Sequence, residues 1–67
     1  MNRTEMIKAL QQGKKMKHHY FTPKEFLEKG DNGNVKFEDG CQCSLHEFFR
    51  TRQSDYWQVG WSEWKGE

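Results

Sequence analysis

The chain has 67 residues, 33% of them hydrophobic and 15% aromatic, so it holds at most one small domain whose core is built from few, large side chains. Its 11 Lys and Arg against 10 Asp and Glu leave a formal net charge of +1, which excludes a general polyanion binder and makes nucleic acid an unexpected partner. No apolar run approaches the roughly 20 residues that span a bilayer, and the opening Met1 to Ile7 lacks the apolar stretch of a signal peptide. The expectation is a cytoplasmic protein, not associated with a membrane, with Cys41 and Cys43 as reduced thiols. A polar chain this small commonly gains buried area by oligomerising, and a homo-oligomer is the expected state.

In chain order, residues 4–12 are predicted to form a helix. Asn2 or Thr4 can cap it, Glu5 suits its positive end, and Met6, Ile7 and Leu10 make one apolar stripe. Lys8, Gln11 and Gln12 face water, and Gly13 with Lys14 and Lys15 closes it. Residues 15–21 read as a strand in which Met16, His18 and Tyr20 alternate with Lys17, His19 and Phe21. Thr22-Pro23-Lys24-Glu25 has the order of a capping box and predicts one helical turn or a tight turn. Phe26 and Leu27 open a second short strand that ends near Lys29.

Asn32-Gly33, within 30–34, can supply the positive φ values of a type I′ hairpin turn. Val35 and Phe37 then alternate with Lys36 and Glu38 in a half-buried strand, and Asp39-Gly40 marks another turn. Cys41-Gln42-Cys43 continues as a short extended piece with both thiols on one face. Ser44-Leu45-His46-Glu47 is a second capping box before Phe48 and Phe49, predicting a helix over 45–51. After a polar link through Gln53, Ser54 and Asp55, an aromatic strand is predicted over 56–61 with Trp57, Val59 and Trp61 on one face. Trp57 and Trp61 are expected in the core, Trp64 is expected to be the most exposed of the three, and Gly66 and Glu67 are expected to fray. The sum is one α+β domain over 1–67. An N-terminal helix packs on a three- to four-stranded antiparallel sheet, and a short second helix precedes the last, aromatic strand.

Few residues here suit chemistry. Cys41, Cys43 and His46, with His18 and His19 elsewhere, could be drawn as a zinc site, but structural zinc sites pair cysteines at C-x₂₋₄-C, wider than the C-x-C spacing here. The plainer reading is two small buried apolar residues and a surface histidine. Cys43 and His46 could approach one another, yet no nucleophile elbow, HExxH or Gly-rich phosphate loop is present, so an enzyme is not expected and no cofactor is implied.

Two clusters mix cations with aromatic rings. Lys14, Lys15, Lys17, His18 and His19 run into Tyr20 and Phe21, and Arg50 and Arg52 stand near Tyr56 and Trp57. Such surfaces can hold a phosphate by charge and a base by stacking. The plainer readings are a solvated helix end before a core strand, and cations that complement the end of a helix.

The opening Met6-Ile-Lys-Ala-Leu-Gln-Gln-Gly-Lys-Lys-Met16 with His18 to Phe21, and the closing aromatic segment Tyr56 to Trp64, together resemble the Thoeris anti-defence family. These are small bacteriophage proteins that sequester cyclic signal nucleotides. The chain departs from that family at Tyr20 and Phe21, where a Trp is usual, and across Cys41–Arg52. The resemblance implies a homo-oligomer of α+β subunits that binds a small anionic nucleotide near subunit boundaries without hydrolysing it. In that picture Lys17, Arg50 and Arg52 contact phosphate, Tyr20, Tyr56 and Trp57 stack on a base, and His18 donates a hydrogen bond. The alternative is a small interaction module that blocks a host or phage enzyme through its aromatic surface, since Trp, Tyr and Arg are the usual anchors of protein interfaces.

Overall fold

Helix α1 spans Arg3–Gln11 and begins with a complete capping box. The Glu5 N–H donates to Asn2 Oδ1 at 2.8 Å, and the Asn2 N–H donates to Glu5 Oε1 at 2.9 Å, so two otherwise orphaned donors are satisfied reciprocally. Met6, Ala9 and Leu10 are buried and Ile7 is packed beside them, while Lys8, Gln11 and Gln12 are exposed. A computed structural model describes residues 1–66; the fraying expected at Glu67 lies outside the described residues.

The sheet is antiparallel and five-stranded, one more than the widest expectation. Its strands are β1 (Met16–His18), β2 (Leu27–Lys29), β3 (Val35–Phe37), β4 (Gln42–Cys43) and β5 (Trp61–Glu63), in the order β4-β3-β2-β1-β5. The register pairs His18 with Trp61, Met16 with both Glu63 and Leu27, Leu27 with Phe37, and Val35 with Cys43. Helix α1 packs across β1, β2 and β5. The second helix, α2 (Leu45–Arg50), sits between β4 and β5 in sequence, as expected, and lowers Phe48 and Phe49 into the same core. Only half of its predicted capping box forms. Ser44 Oγ accepts from the Glu47 N–H at 3.1 Å, while the Glu47 carboxylate turns to Arg50.

Turn chemistry falls where the sequence places it. Asn32 (φ 53°) and Gly33 (φ 81°) both take positive φ in the β2–β3 turn, which the predicted Asn-Gly pair allows. Thr22–Glu25 is a tight turn, in which the Thr22 N–H donates to Glu25 Oε1 at 2.9 Å.

Two strand assignments are corrected. The first strand stops at His18 rather than 21, because Nδ1 of its own ring takes the N–H of Tyr20 and turns the chain. The closing strand is 61–63, not 56–61. Tyr56 and Trp57 lie in a 3₁₀ turn over Asp55–Trp57, and Gly60 at φ +88° breaks extended geometry just before Trp61. Trp57, Val59 and Trp61 therefore do not share a face. Trp61 is core, Trp57 is half-buried, and Val59 is 57% exposed. Trp64 is also half-buried: its ring lies 4.4 Å from Phe26 and its indole N–H donates to the Pro23 carbonyl at 3.0 Å.

Phe48 touches Phe37, Phe49 and Trp61 and is the joint between α2 and the sheet. Phe48→Ala should cost about 3–5 kcal/mol, against about 1 kcal/mol for the exposed cap change Asn2→Ala. Urea denaturation of both variants checks the ranking.

Candidate functional site

His18 organises the surface that the sequence singled out. Its ring is only 2% exposed, the one buried polar side chain among the described residues. Nε2 lies 2.8 Å from the carbonyl oxygens of both Tyr56 and Val59, so it carries the proton and donates to both. Nδ1 accepts from the Tyr20 N–H at 3.1 Å. The ring is thus the neutral Nε2–H tautomer, clamped between two loops. Trp57 lies 4.3 Å from it, Trp61 4.7 Å and Tyr20 5.4 Å. His18 was expected to donate to a ligand; its donor is already committed to the backbone.

The segment 54–60 has almost no regular structure, yet each of its carbonyls has a donor. Those of Ser54 and Asp55 accept from Trp57 and Gln58, that of Gln58 from Arg3, and that of Gly60 from His19. Those of Tyr56 and Val59 accept from His18, and that of Trp57 from the Trp61 indole N–H at 2.9 Å. A loop pressed against a core must satisfy its backbone in this way. Gly60 is required there, because a Cβ would meet His18 Nε2 at 3.1 Å and φ is positive.

Fixed above this clamp, Tyr20 and Tyr56 meet edge to face at 5.2 Å and stay 61% and 51% exposed. Trp57 supports both rings, at 6.1 Å and 5.9 Å. The guanidinium of Arg52 lies 4.2 Å above Phe48 and 5.6 Å from Trp57, and donates to the Phe48 carbonyl at 3.0 Å. His18, Tyr20, Arg52, Tyr56 and Trp57 are therefore brought together.

Arg50 stands apart from this cluster, and Lys17 lies at its edge. Lys17 lines an open groove of about 460 Å³ together with His18, His19, Thr22, Gly60, Trp61 and Ser62. The two features adjoin through His19, whose ring meets Tyr20 at 5.3 Å. Arg50 lies on α2, 3.7 Å from Glu47, in the one ion pair among the described residues, and lines a separate depression. His19 belongs to the basic-aromatic run marked in the sequence, whereas Thr22, Gly60 and Ser62 were not foreseen as groove residues. The Thr22-x-x-Glu25 turn was a local signal for one of them; nothing local marked Ser62, which enters only by pairing with Lys17.

No group of three or more His, Cys, Asp or Glu side chains gathers as a metal site, and no helix is long and apolar enough to cross a membrane, among the described residues. Cys41 is exposed rather than buried, and Cys43 is half-buried. A hydrogen bond from the Cys41 thiol to Asp39, and the charge of that carboxylate, raise the thiol above its ordinary pKa. No protein-family model, curated protein or solved structure matches this chain.

Three expectations follow. His18→Phe keeps a ring against Trp57 but leaves two carbonyls and an N–H unpaired, and should cost about 3 kcal/mol, a fall of some 12–24 °C in Tm at about 4–8 °C per kcal/mol. Gly60→Ala should fall in the same direction, and nitrogen shifts of the wild-type imidazole should report Nε2–H. Because Asp39 disfavours the thiolate, alkylation of Cys41 at pH 8 should be slow for an exposed thiol and faster in Asp39→Asn.

Proposed function

We propose that this protein is a non-enzymatic binding protein that sequesters a small anionic nucleotide. The observation that carries the reading is the juxtaposition of two exposed tyrosine rings, packed on one another and on Trp57, with a groove walled by Lys17, His19, Thr22 and Ser62. A groove of about 460 Å³ falls within the roughly 300–1,000 Å³ usual for small-molecule sites. Tyrosine faces offer stacking that any base accepts, worth about 1–3 kcal/mol per base. Lys17 supplies a point charge for phosphate, and two hydroxyls with an imidazole supply hydrogen bonds.

Within this reading Tyr20 and Tyr56 stack on the base, Trp57 supports Tyr56 with Arg52 behind it, and Lys17 meets the phosphate. His18 acts beneath, by positioning the tyrosines rather than by touching ligand. The resemblance of the opening and closing segments to phage counter-defence proteins supports a cyclic signal nucleotide as the ligand. It also supports a homo-oligomer acting in the cytoplasm of a host cell. A second reading is favoured by Val59, which is 57% exposed in the same 54–60 loop as the exposed Tyr56. Tyr, Trp and an aliphatic residue in one loop, with Arg52 at the margin, make a surface that could block a partner enzyme.

A thermal-shift panel of cyclic dinucleotides, cyclic trinucleotides, cyclic ADP-ribose isomers and mononucleotides separates the two. A ligand at 100 times its dissociation constant stabilises by about 2.7 kcal/mol, several degrees for a domain this size. One nucleotide class should shift the midpoint, and Tyr20→Ala, Tyr56→Ala and Lys17→Gln should each abolish most of that shift while leaving the unliganded midpoint within about 3 °C. A flat panel from folded protein sinks the nucleotide reading and leaves the interaction surface.

A further inference from the structure

A second depression, of about 210 Å³, lies between the start of α1 and one face of α2. Arg3, His46, Phe49, Arg50 and Gln53 line it, and none of these lines the groove beside Lys17. Every polar side chain in it can donate hydrogen bonds: two guanidiniums, an imidazole and a primary amide. No carboxylate among the described residues lines it. Glu47 reaches Arg50 from outside at 3.7 Å, with both side chains more than half exposed, a pair that contributes little in water.

Arg3 is held by its surroundings, and the backbone at Arg50 is tied down. The guanidinium of Arg3 sits 3.9 Å over the ring of Phe49, which is itself core, so a cation–π contact fixes its place without consuming its N–H donors. Gln53 donates to the Arg50 carbonyl at 2.8 Å, which ties the chain beyond α2 to the residue bearing the second guanidinium. Packing of Arg3 on Phe49 alone would account for a covered ring. It would not account for a second arginine, an imidazole and an amide around the same small hollow.

We infer that this depression is an oxyanion site that takes a phosphoryl group between Arg3 and Arg50. Arginine forks match the oxygens of phosphate, and hydrogen bonds between ions are the strong ones. A hollow of about 210 Å³ is below the roughly 300 Å³ at which small-molecule sites begin. It suits a tetrahedral anion, either free phosphate or the terminal phosphate of a larger molecule whose remainder stays outside. The site does not depend on what the tyrosine face binds.

The test is a titration followed by amide chemical shifts, at constant ionic strength, with inorganic phosphate, pyrophosphate, phenyl phosphate and acetate. The phosphates should saturate with a dissociation constant of about 1 mM or below, acetate should not, and the shifts should centre on Arg3, His46, Arg50 and Gln53. Arg3→Gln and Arg50→Gln should each weaken binding about tenfold, and Arg50→Lys should fall between, keeping charge but losing the fork. Lys36→Gln, the same loss of charge on β3, should change nothing. Tighter phenyl phosphate than phosphate identifies a phosphoryl group on a larger molecule, and the reverse identifies the free ion. No saturation up to about 10 mM, or equal weakening by Lys36→Gln, overturns the site. Arg50 is exposed, so its variants fold and decide the matter even where Arg3→Gln does not. Tyr56→Ala should leave phosphate binding intact, which separates failure here from failure of the nucleotide reading.

Discussion

The imidazole of His18 is the constraint on which this surface depends. A buried polar ring is tolerated only when its hydrogen bonds are made. Here both nitrogens are satisfied by backbone from two segments nearly forty positions apart in sequence, Tyr20 on one side and Tyr56 with Val59 on the other. One side chain therefore ends the first strand, fixes the tautomer and docks the 54–60 loop. The aromatic rings around it contribute area, and the hydrogen bonds contribute direction.

That arrangement explains how a chain with a third of its residues hydrophobic can present exposed tyrosines without losing its fold. Met6, Met16, Leu27, Phe48 and Trp61 form the continuous core beneath, with α1 and α2 closing it. Tyr20 and Tyr56 add nothing essential to that core. Tyr56 is carried by the 54–60 loop, whose carbonyls are all paired, so ordering its backbone for a partner costs little further conformational entropy. Under the proposed function, these exposed rings beside the groove at Lys17 form the binding surface. The arginines follow a different logic. Arg52 is spent on Phe48 and Trp57, whereas Arg3 and Arg50 line a hollow of their own.

Much of the architecture was legible locally, because local chemistry set it. The Asn2–Glu5 box, the Asn32-Gly33 turn, the Ser44 cap and the Val35/Phe37 alternation each depend on residues within a few positions of one another. The last strand was misplaced for an instructive reason. Tyr56 to Trp61 has β propensity throughout, but propensity of this kind reports fit to a pleated, half-buried surface rather than a backbone rule. The donors of His18 and Trp61 offered the same carbonyls better partners than a neighbouring strand could. The candidate site was legible only in part. Tyr20, Tyr56 and Trp57 do assemble and Lys17 lines an adjoining groove, but Arg50 was grouped with them by chain proximity, and a helix face turns it elsewhere.

The sequence by itself determined the α+β class, both helices, the turns and the aromatic character of the surface, since capping, turn and periodicity signals act over a few residues. Tertiary structure alone decided that His18 is a buried clamp rather than a ligand donor. It also decided that Trp64 packs on Phe26, and that Ser62 joins Lys17 and Arg3 joins Arg50. Each of those pairings joins residues dozens of positions apart, and no local energy term distinguishes them until the sheet register and the helix packing bring them into contact.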